Sequence, residues 1–405
     1  MAVLGRTAMI RTAVIKSVRA CNLRCRYCYY INEQTSHYGQ IIAAETLEKL
    51  YGHVSDYLSG QRGFAFIWHG GEPLLLGRKR FQKYLDLQAK YFEPDQVQNV
   101  VQTNGLLIDQ AWIDFFQSNK LGVGISIDSP GAHDKNRVTT RGDGTYSRVV
   151  DAIKLLSLNR LSVGAISVVD GEFNGYQALG DIEKLGVFAC DFLIPMTNNA
   201  LQERGRAGDY RNYTNFAKIG EFLQSAFRWW VEHPKPDFAV RLFECVIRNA
   251  FGFDSGYLDT GSTNLAEFVV LESNGEFCLD PDFWHIDRYE LGRHYRLGFD
   301  VHDDGFSMVA LERRMQDFVR SHRLNALPDD CQRCKVRSLC RASHPASRYG
   351  ADGSFNHRSA YCEAMFALCE EVLRYIVERG YADYLYDDDL KRCVNRQAGD
   401  RTVTA

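Results

Sequence analysis

Apolar residues in the first half of the chain follow two alternating patterns. Short runs rich in valine, isoleucine and phenylalanine predict buried β-strands, and the stretches between them carry apolar residues three to four positions apart, as amphipathic helices do. Strands alternating with helices indicate βα units around a parallel sheet. The predicted strands are Thr12–Val18, Gly63–Trp68, Asn99–Gln102, Val123–Ile127, Ser162–Val169 and Phe188–Ile194. The predicted helices are Ala44–Leu58, Arg78–Tyr91, Gln110–Ser118 and Tyr146–Leu158.

This order of elements predicts an α/β fold with a partial (β/α)6 TIM-like barrel. In such a barrel the chemistry sits at the C-terminal ends of the strands. The proline-containing stretch 233–238 (HPKPDF) is the predicted boundary, which gives a barrel over residues 1–235 and a smaller cysteine-rich domain over residues 236–385. We expect a β-hairpin that turns at Asn274-Gly275 in the second domain, and a flexible tail over residues 386–405.

Three cysteines follow the first predicted strand directly, at Cys21, Cys25 and Cys28. Three thiolates on one loop can bind three corners of a cubane iron–sulfur cluster and leave the fourth iron without a protein ligand. Structural zinc takes four ligands, commonly as paired CxxC groups, so zinc fits this spacing less well. The spacing therefore favours an iron–sulfur cluster with one open iron.

The CxxxCxxC motif, with Tyr27 before its last cysteine, resembles the signature loop of the radical S-adenosylmethionine (SAM) superfamily. The resemblance implies that the open iron of a 4Fe–4S cluster binds SAM and passes it an electron, which yields a 5′-deoxyadenosyl radical. The sequence His69-Gly70-Gly71-Glu72-Pro73 is similar to the GGEP motif of the family, which binds the amino group of SAM. The residues that the resemblance implies for SAM binding are Tyr27, Gly70, Gly71, Glu72, Pro73, Asn104, Ser126, Asp128, Arg137 and Arg206. Without the resemblance, the residues at several of these positions are equally consistent with turns or solvated loops.

A second group of cysteines lies near the C-terminus, at Cys331, Cys334, Cys340 and Cys362. Four thiolates saturate a cluster, so this site suits electron transfer or structural support, and a zinc ribbon is the competing interpretation. The pattern resembles the SPASM/twitch extension of radical SAM enzymes, which implies an auxiliary 4Fe–4S cluster. A full SPASM domain has seven cysteines, but here His344 stands where a further cysteine is expected.

One auxiliary cluster is therefore expected rather than two. Asp280 and Asp282 follow the predicted hairpin and are candidates for a catalytic acid or base, although placement in the core or on the surface is as plausible. We assign no role to the remaining cysteines, which are expected to behave as small hydrophobic residues or unreactive thiols. They are Cys190, Cys245, Cys278, Cys369 and Cys393.

Composition and charge limit the classes of molecule that the protein is expected to bind. The chain has 405 residues and a net charge of −3, so no overall basic field favours nucleic acid or anionic lipid. No apolar run reaches the length of a membrane span, and the N-terminus has no signal peptide, which predicts a cytoplasmic protein. The expected partners are a precursor peptide and an electron donor such as flavodoxin or ferredoxin.

The resemblance is closest to the radical SAM enzymes that modify ribosomally made peptides. For that subgroup it implies hydrogen abstraction from a side chain and a carbon–carbon crosslink between an aromatic ring and a β-carbon, which closes a cyclophane. The alternatives are anaerobic sulfatase maturation, in which a cysteine or serine becomes formylglycine, and an ether or thioether crosslink. A zinc-binding interaction module is the alternative that is not an enzyme.

Overall fold

The computed structural model describes residues 10–392 and 394, apart from 33–37, 204–214, 236, 263, 266, 285 and 287–294. Its strands are β1 Thr12–Val18, β2 Phe64–Gly70, β3 Val97–Thr103, β4 Gly122–Ser126, β5 Val163–Val168, β6 Ala189–Leu193, β7 Ala239–Val240, β8 Phe268–Leu271, β9 Glu276–Cys278 and β10 Arg296–Asp300. Its α-helices are Tyr29–Asn32, Ala44–Leu58, Arg78–Gln88, Gln110–Ser118, Pro130–Asn136, Tyr146–Leu158, Gly175–Glu183, Asn199–Glu203, Phe216–Glu232, Arg241–Ala250, Met308–Ser321, Arg337–Cys340 and Cys362–Glu378. The predicted α/β class with a parallel sheet and a cysteine-rich C-terminal region is confirmed.

The chain divides into two compact units that alternate along the sequence. The first unit comprises the described residues of Met1–Ile127, His133–Ala165 and Leu265–Ser321. The second comprises those of Asp128–Ala132, Ile166–Asn264 and His322–Ala405. The hairpin region, which the sequence analysis assigned to the second domain, thus belongs to the first unit, and the division at residue 235 stays a prediction.

The first unit contains a mainly parallel sheet. Its parallel strands follow the order β8-β1-β2-β3-β4, and β9 and β10 extend the β8 edge in antiparallel pairing. The hairpin turn at Gly275 is confirmed, and the φ of this residue is +99°, a conformation that glycine adopts without strain. Because parallel strands share one direction, the C-terminal ends of β1 to β4 lie along one edge, where the predicted site residues follow them.

Burial of large apolar side chains stabilises this sheet. Strand β2 alternates buried and half-buried residues, and Phe64, Phe66 and Trp68 are fully buried on one face. Helices on that face contribute Tyr51 and Phe81, whose rings lie 5.4 Å from Phe66 and 4.7 Å from Trp68 respectively. Each such side chain contributes about 1.5–3 kcal/mol through burial, so the sheet provides a rigid support for the loops at its edge.

The second unit is built around two packed helices, Phe216–Glu232 and Cys362–Glu378. Arg228 of the first helix binds Glu371 of the second in a bidentate ion pair, with Nε to Oε1 at 2.8 Å and Nη2 to Oε2 at 3.0 Å. Strands β6 and β7 pair in parallel in this unit. Among the described residues, no helix is long and apolar enough to cross a membrane.

Candidate active site

The first cysteine loop begins where β1 ends, and the segment after β4 holds it in place. The backbone N–H of Arg24 donates to the carbonyl of Val138 at 2.8 Å, and that of Arg26 donates to Asn136 at 2.9 Å. Backbone hydrogen bonds of this kind fix the path of the loop without using its side chains. The path of the loop therefore does not depend on bonds made by its sulfur atoms.

The thiols of Cys21, Cys25 and Cys28 are half-buried and close to one another. Burial raises the pKa of Cys21 to about 12, and the negative charges of Glu72, Cys25 and Cys28 raise it further, while the N–H of Leu23 opposes this at 3.4 Å from the sulfur. A thiolate at this position therefore needs a cation to stabilise it, as the irons of a cluster do. The three residues fit a cluster bound on three corners.

The glycines of the GGEP motif pack against the chain that leads into the cysteine loop. A Cβ on Gly71 would lie 2.0 Å from the carbonyl oxygen of Ala20, and one on Gly70 would lie 2.6 Å from that of Val18. The N–H of Gly71 donates to Val18 at 2.8 Å. The close approach that these glycines allow is thus to the backbone beside the cysteines, which joins the end of β2 to the end of β1.

Glu72 is fully buried and its carboxylate accepts hydrogen bonds from three protein groups. The donors are the N–H of Leu74 at 3.0 Å, the hydroxyl of Thr103 at 2.7 Å and the N–H of Asn104 at 2.8 Å. Burial raises the pKa of this carboxyl to about 7, although the hydrogen bonds from Asn104, Thr103 and Leu74 act in the opposite direction. Glu72 therefore links the ends of β2 and β3, and binding of the SAM amino group by it stays a prediction.

Asn104 connects the end of β3 to the cysteine loop. Its side-chain amide donates to Asn22 at 2.8 Å and approaches the sulfur of Cys21 at 3.7 Å. On the next strand, Ser126 accepts a hydrogen bond from Gln102 at 3.1 Å. The predicted residues at the ends of β1, β2 and β3 thus meet around Cys21.

Arg137 and Tyr27 form a second contact with the loop. The guanidinium of Arg137 lies 5.3 Å from the centre of the Tyr27 ring, a cation–π distance. Arg137 is 7% exposed and its backbone is fixed by a hydrogen bond from Thr145, whose hydroxyl donates to its carbonyl at 2.8 Å. This pair places a positive charge beside the loop, and binding of SAM by Arg137 stays a prediction.

The remaining predicted SAM residues have separate surroundings. Pro73 is buried at the start of a short 3-10 helix. Asp128 belongs to the second unit, where its carboxylate accepts from the N–H of Val168 at 2.9 Å. Arg206 lies outside the described residues.

Asp280 caps the 3-10 helix Pro281–Phe283 by accepting the N–H of Asp282 at 2.8 Å, and a catalytic role for either aspartate stays a prediction.

Sequence reasoning missed a buried polar cluster that also begins on β1. Lys16 is 1% exposed, and its ammonium donates to the hydroxyl of Tyr29 at 2.8 Å. Burial lowers the pKa of Lys16, whereas the charges of Glu272 and Asp280, among others, raise it. A lysine inside the apolar run Thr12–Val18 was the available signal, because an unpaired lysine is almost never fully buried.

The second cysteine group comes together in the second unit. Burial raises the pKa of Cys331 to about 12, and the negative charges of Cys340, Cys362 and Cys334 add to this, so the four thiols are close neighbours. Four mutually close thiols fit a closed metal site.

The backbone after Cys340 is shaped to bind an anionic sulfur. Arg341, Ala342 and Ser343 have φ values of 48°, 66° and 59°, a left-handed run that costs about 1–2 kcal/mol for each residue. The N–H of Ser343 donates to the carbonyl of Cys340 at 2.9 Å. The pKa of Cys340 is lowered chiefly by Cys369, and the nearby N–H groups of Ala342 and Ser343 lower it further. Such a concave set of N–H groups is a recurrent feature of phosphate and iron–sulfur sites.

Two side chains that the sequence analysis left without a role complete this site. Cys369 is fully buried, and its hydrogen bond to Cys340 is the largest cause that lowers the pKa of Cys340. Arg348 is 2% exposed, and burial lowers its pKa to about 10 while the charges of Cys331 and Cys340 raise it. The spacing of seven residues between Cys362 and Cys369, on one predicted helix, was the signal for the first of these.

Comparison with known proteins agrees with this geometry. Residues 15–176 match the family described as the Radical SAM superfamily. The serine-type anaerobic sulfatase-maturating enzyme of Bacteroides thetaiotaomicron is 28% identical over 363 residues, which cover 84% of this chain and 84% of that protein. The cysteine-type enzyme of Clostridium perfringens is 28% identical over 358 residues, which cover 85% and 91%.

Solved structures give the same fold. A structure described as native anSMEcpe with bound AdoMet has a TM-score of 0.75 and 25% identity, and the match covers 91% of this chain and 97% of that one. The Streptococcus suis protein SuiB, bound to the precursor peptide SuiA, has a TM-score of 0.58 and 13% identity, with 88% and 76% covered, and shares the fold alone. Residues 15–176, which contain the three-cysteine loop, thus form a radical SAM domain.

Proposed function

We propose that this radical SAM enzyme oxidises a side chain of a peptide substrate. The observation that carries the proposal is the three-thiol loop at the end of β1, with Glu72 and Asn104 beside it. The curated relatives named above are sulfatase-maturating enzymes, and a further solved relative has AdoMet and the Cp18Cys peptide bound. Both facts support a peptide or protein substrate.

In this proposal two 4Fe–4S clusters and SAM are the cofactors. Bound at the first site, cluster and SAM supply the radical that abstracts a hydrogen atom. Cys21, Cys25 and Cys28 hold that cluster, and the amide of Asn104 holds the loop in position through Asn22. The guanidinium of Arg137, fixed over Tyr27, is placed to bind a carboxylate such as that of SAM.

The second site is proposed to accept electrons from the oxidised substrate. Cys331, Cys334, Cys340 and Cys362 saturate a cluster, so no iron is open to SAM there. Hydrogen bonds to the Cys340 sulfur and the buried charge of Arg348 stabilise added negative charge, which favours the reduced cluster.

The first candidate product is a cyclophane, in which an aromatic ring is joined to the β-carbon of a nearby residue. Loss of one electron and one proton restores the aromatic ring after the new bond forms, and Asp280 or Asp282 is the proposed proton acceptor. The single auxiliary cysteine set supports this candidate.

The second candidate product is formylglycine, made from a cysteine or serine. The specific observation in its favour is that the two relatives described above are sulfatase-maturating enzymes that match more than four-fifths of this chain. An identity of 28% does not by itself carry the substrate of these relatives over to this chain, so formylglycine is the second candidate.

One experiment separates the two candidates. Reconstituted enzyme, dithionite and SAM are incubated anaerobically with the Cp18Cys peptide, its serine form, and short aromatic-containing peptides encoded beside this gene. Formation of an aldehyde that reacts with a hydrazine supports formylglycine. Loss of two hydrogens without an aldehyde, and a fragmentation-resistant ring, supports a crosslink. Absence of 5′-deoxyadenosine with every peptide would contradict the shared proposal.

We further propose that the enzyme works in the cytoplasm with a flavodoxin or ferredoxin as its electron donor. The low-potential cluster needs such a donor, and the chain's lack of an overall basic field argues against nucleic acid as a partner. Replacement of dithionite by reduced flavodoxin should sustain 5′-deoxyadenosine formation.

A further inference from the structure

A buried arginine beside the cysteine loop has hydrogen-bond donors that no group in the described part of the chain accepts. Arg19 directly follows β1 and is 6% exposed, and its Nε and Nη2 atoms are buried without a partner. The Nε1 atom of Trp284 is likewise buried without a partner, and its ring lies 5.8 Å from the Arg19 guanidinium. A buried donor without an acceptor destabilises the folded protein, so three of them together require an explanation.

The neighbouring carboxylate does not satisfy these donors. The ion pair between Nη1 of Arg19 and Oε2 of Glu272 has a distance of 3.8 Å, which is beyond hydrogen-bond distance. Its oxygens accept instead from the hydroxyls of Tyr295 at 2.9 Å and Tyr30 at 3.0 Å. The ring of Tyr30 stacks on the guanidinium at 4.8 Å and holds it in place.

The unpartnered edge has a defined chemistry. Nε and Nη2 of an arginine form the fork that binds a carboxylate with two parallel hydrogen bonds. This protein uses the same edge elsewhere, where Nε and Nη2 of Arg228 bind the two oxygens of Glu371. Because Arg19 and Trp284 offer only donors, the ligand must be an acceptor, and a carboxylate matches both the geometry and the charge.

Position in the sheet indicates where that carboxylate comes from. Of the described residues of the first unit that are predicted to bind SAM, all but Tyr27 lie at the end of, or after, β2, β3 or β4, on one side of β1. Trp284 follows β9, and β9 lies beyond β8 on the other side of β1. We propose that Arg19 and Trp284 bind a carboxylate of the peptide substrate, from an acidic side chain or a C-terminus, and so position the peptide beside Asp280. This inference rests on the proposed function.

The test measures binding directly on the reconstituted enzyme. The probes are glutamate capped at both ends as amides, and the equally capped glutamine, titrated anaerobically by saturation-transfer NMR. The wild type should bind the glutamate probe at least about tenfold more tightly than the glutamine probe, and Arg19→Gln should abolish the difference. Arg228→Gln, a change at an arginine whose fork is already occupied, is the control and should keep the preference.

Other outcomes overturn the inference. Equal affinity for the two probes in the wild type, or an unchanged preference in Arg19→Gln, excludes the carboxylate site. Weaker SAM binding in Arg19→Gln with an unchanged preference assigns the fork to SAM instead. If Arg19→Gln fails to fold or to hold iron, the same binding measurement is made on Trp284→Phe. This variant should bind the glutamate probe several-fold more weakly than the wild type, and an unchanged affinity would contradict the proposal.

Formation of 5′-deoxyadenosine in the same samples separates this inference from the proposed function. Wild-type enzyme that cleaves SAM but shows no carboxylate preference contradicts the inference alone. Enzyme that fails to cleave SAM contradicts the proposed function, whatever the probes show.

Discussion

Replacement of Glu72 by glutamine tests whether this buried carboxylate links the strand ends around the cysteine loop. Its two oxygens accept from Leu74, Thr103 and Asn104. The hydroxyl of Thr103 can reverse and accept from an amide, but the two backbone N–H groups cannot. One of them must then face the glutamine NH2 without an acceptor, which costs about 1–3 kcal/mol.

The pKa of Glu72 gives this prediction a pH signature. Burial raises the pKa from 4.5 to about 7 in the folded protein, so the folded state holds a proton that the unfolded state has released. Its contribution to stability is therefore fully present below the unfolded pKa and is lost as pH rises through about 7. The part lost between pH 6 and pH 8 is about 1 kcal/mol in the wild type, and Glu72→Gln lacks this dependence.

The assay is anaerobic guanidinium unfolding of the reconstituted protein, followed by tryptophan fluorescence at both pH values. Glu72→Gln should be less stable than the wild type at pH 6, and the difference should shrink by about 1 kcal/mol at pH 8. Glu312→Gln, another buried carboxylate in the first unit, serves as the control and should leave 5′-deoxyadenosine formation unchanged. Equal stability at pH 6, or a difference that widens at pH 8, would refute the reasoning.

Three further predictions concern the two cysteine sites. Gly71→Ala should lower iron content and stability, because its Cβ would lie 2.0 Å from the Ala20 oxygen, whereas Gly52→Ala, with 3.6 Å to its nearest neighbour, should do neither. Cys362→Ala should reduce iron by about half yet still support SAM cleavage, and complete loss of cleavage would contradict separate roles for the clusters. Cys369→Ala should lower the reduction potential of the second cluster, measured by EPR-monitored titration, and Cys369→Ser should restore part of the shift because the hydroxyl can still donate to the sulfur.

Much of the fold was predictable because its elements have strong local patterns. The predicted strand Thr12–Val18 and the predicted helix Ala44–Leu58 match the structure at both ends. The hairpin turn at Gly275 and the grouping of both sets of cysteines could also be predicted, since turns and clustered cysteines depend on short spacings in the sequence. The pairing of β8 with β1 could not be predicted, because no local pattern in the sequence specifies which edge of the sheet a distant hairpin joins.

Contacts between residues far apart in the sequence also explain which site residues were missed, because no local pattern encodes them. Arg19 and Glu272 are ordinary charged residues in the sequence, and only the fold brings them together in a buried cluster. The glycines of the GGEP motif were predicted to let the backbone approach a ligand, and in the structure they approach the backbone at Val18 and Ala20, so that SAM binding by them stays a prediction. A motif thus indicates where close approach is needed, whereas the partner depends on tertiary structure.

The most direct test of the whole account is reductive cleavage of SAM. Anaerobically reconstituted wild-type protein with dithionite should form 5′-deoxyadenosine, and Cys25→Ala should form none because the first cluster loses one of its three ligands. Cleavage that survives Cys25→Ala, or wild-type protein that carries zinc in both cysteine sites and leaves SAM intact, would contradict it.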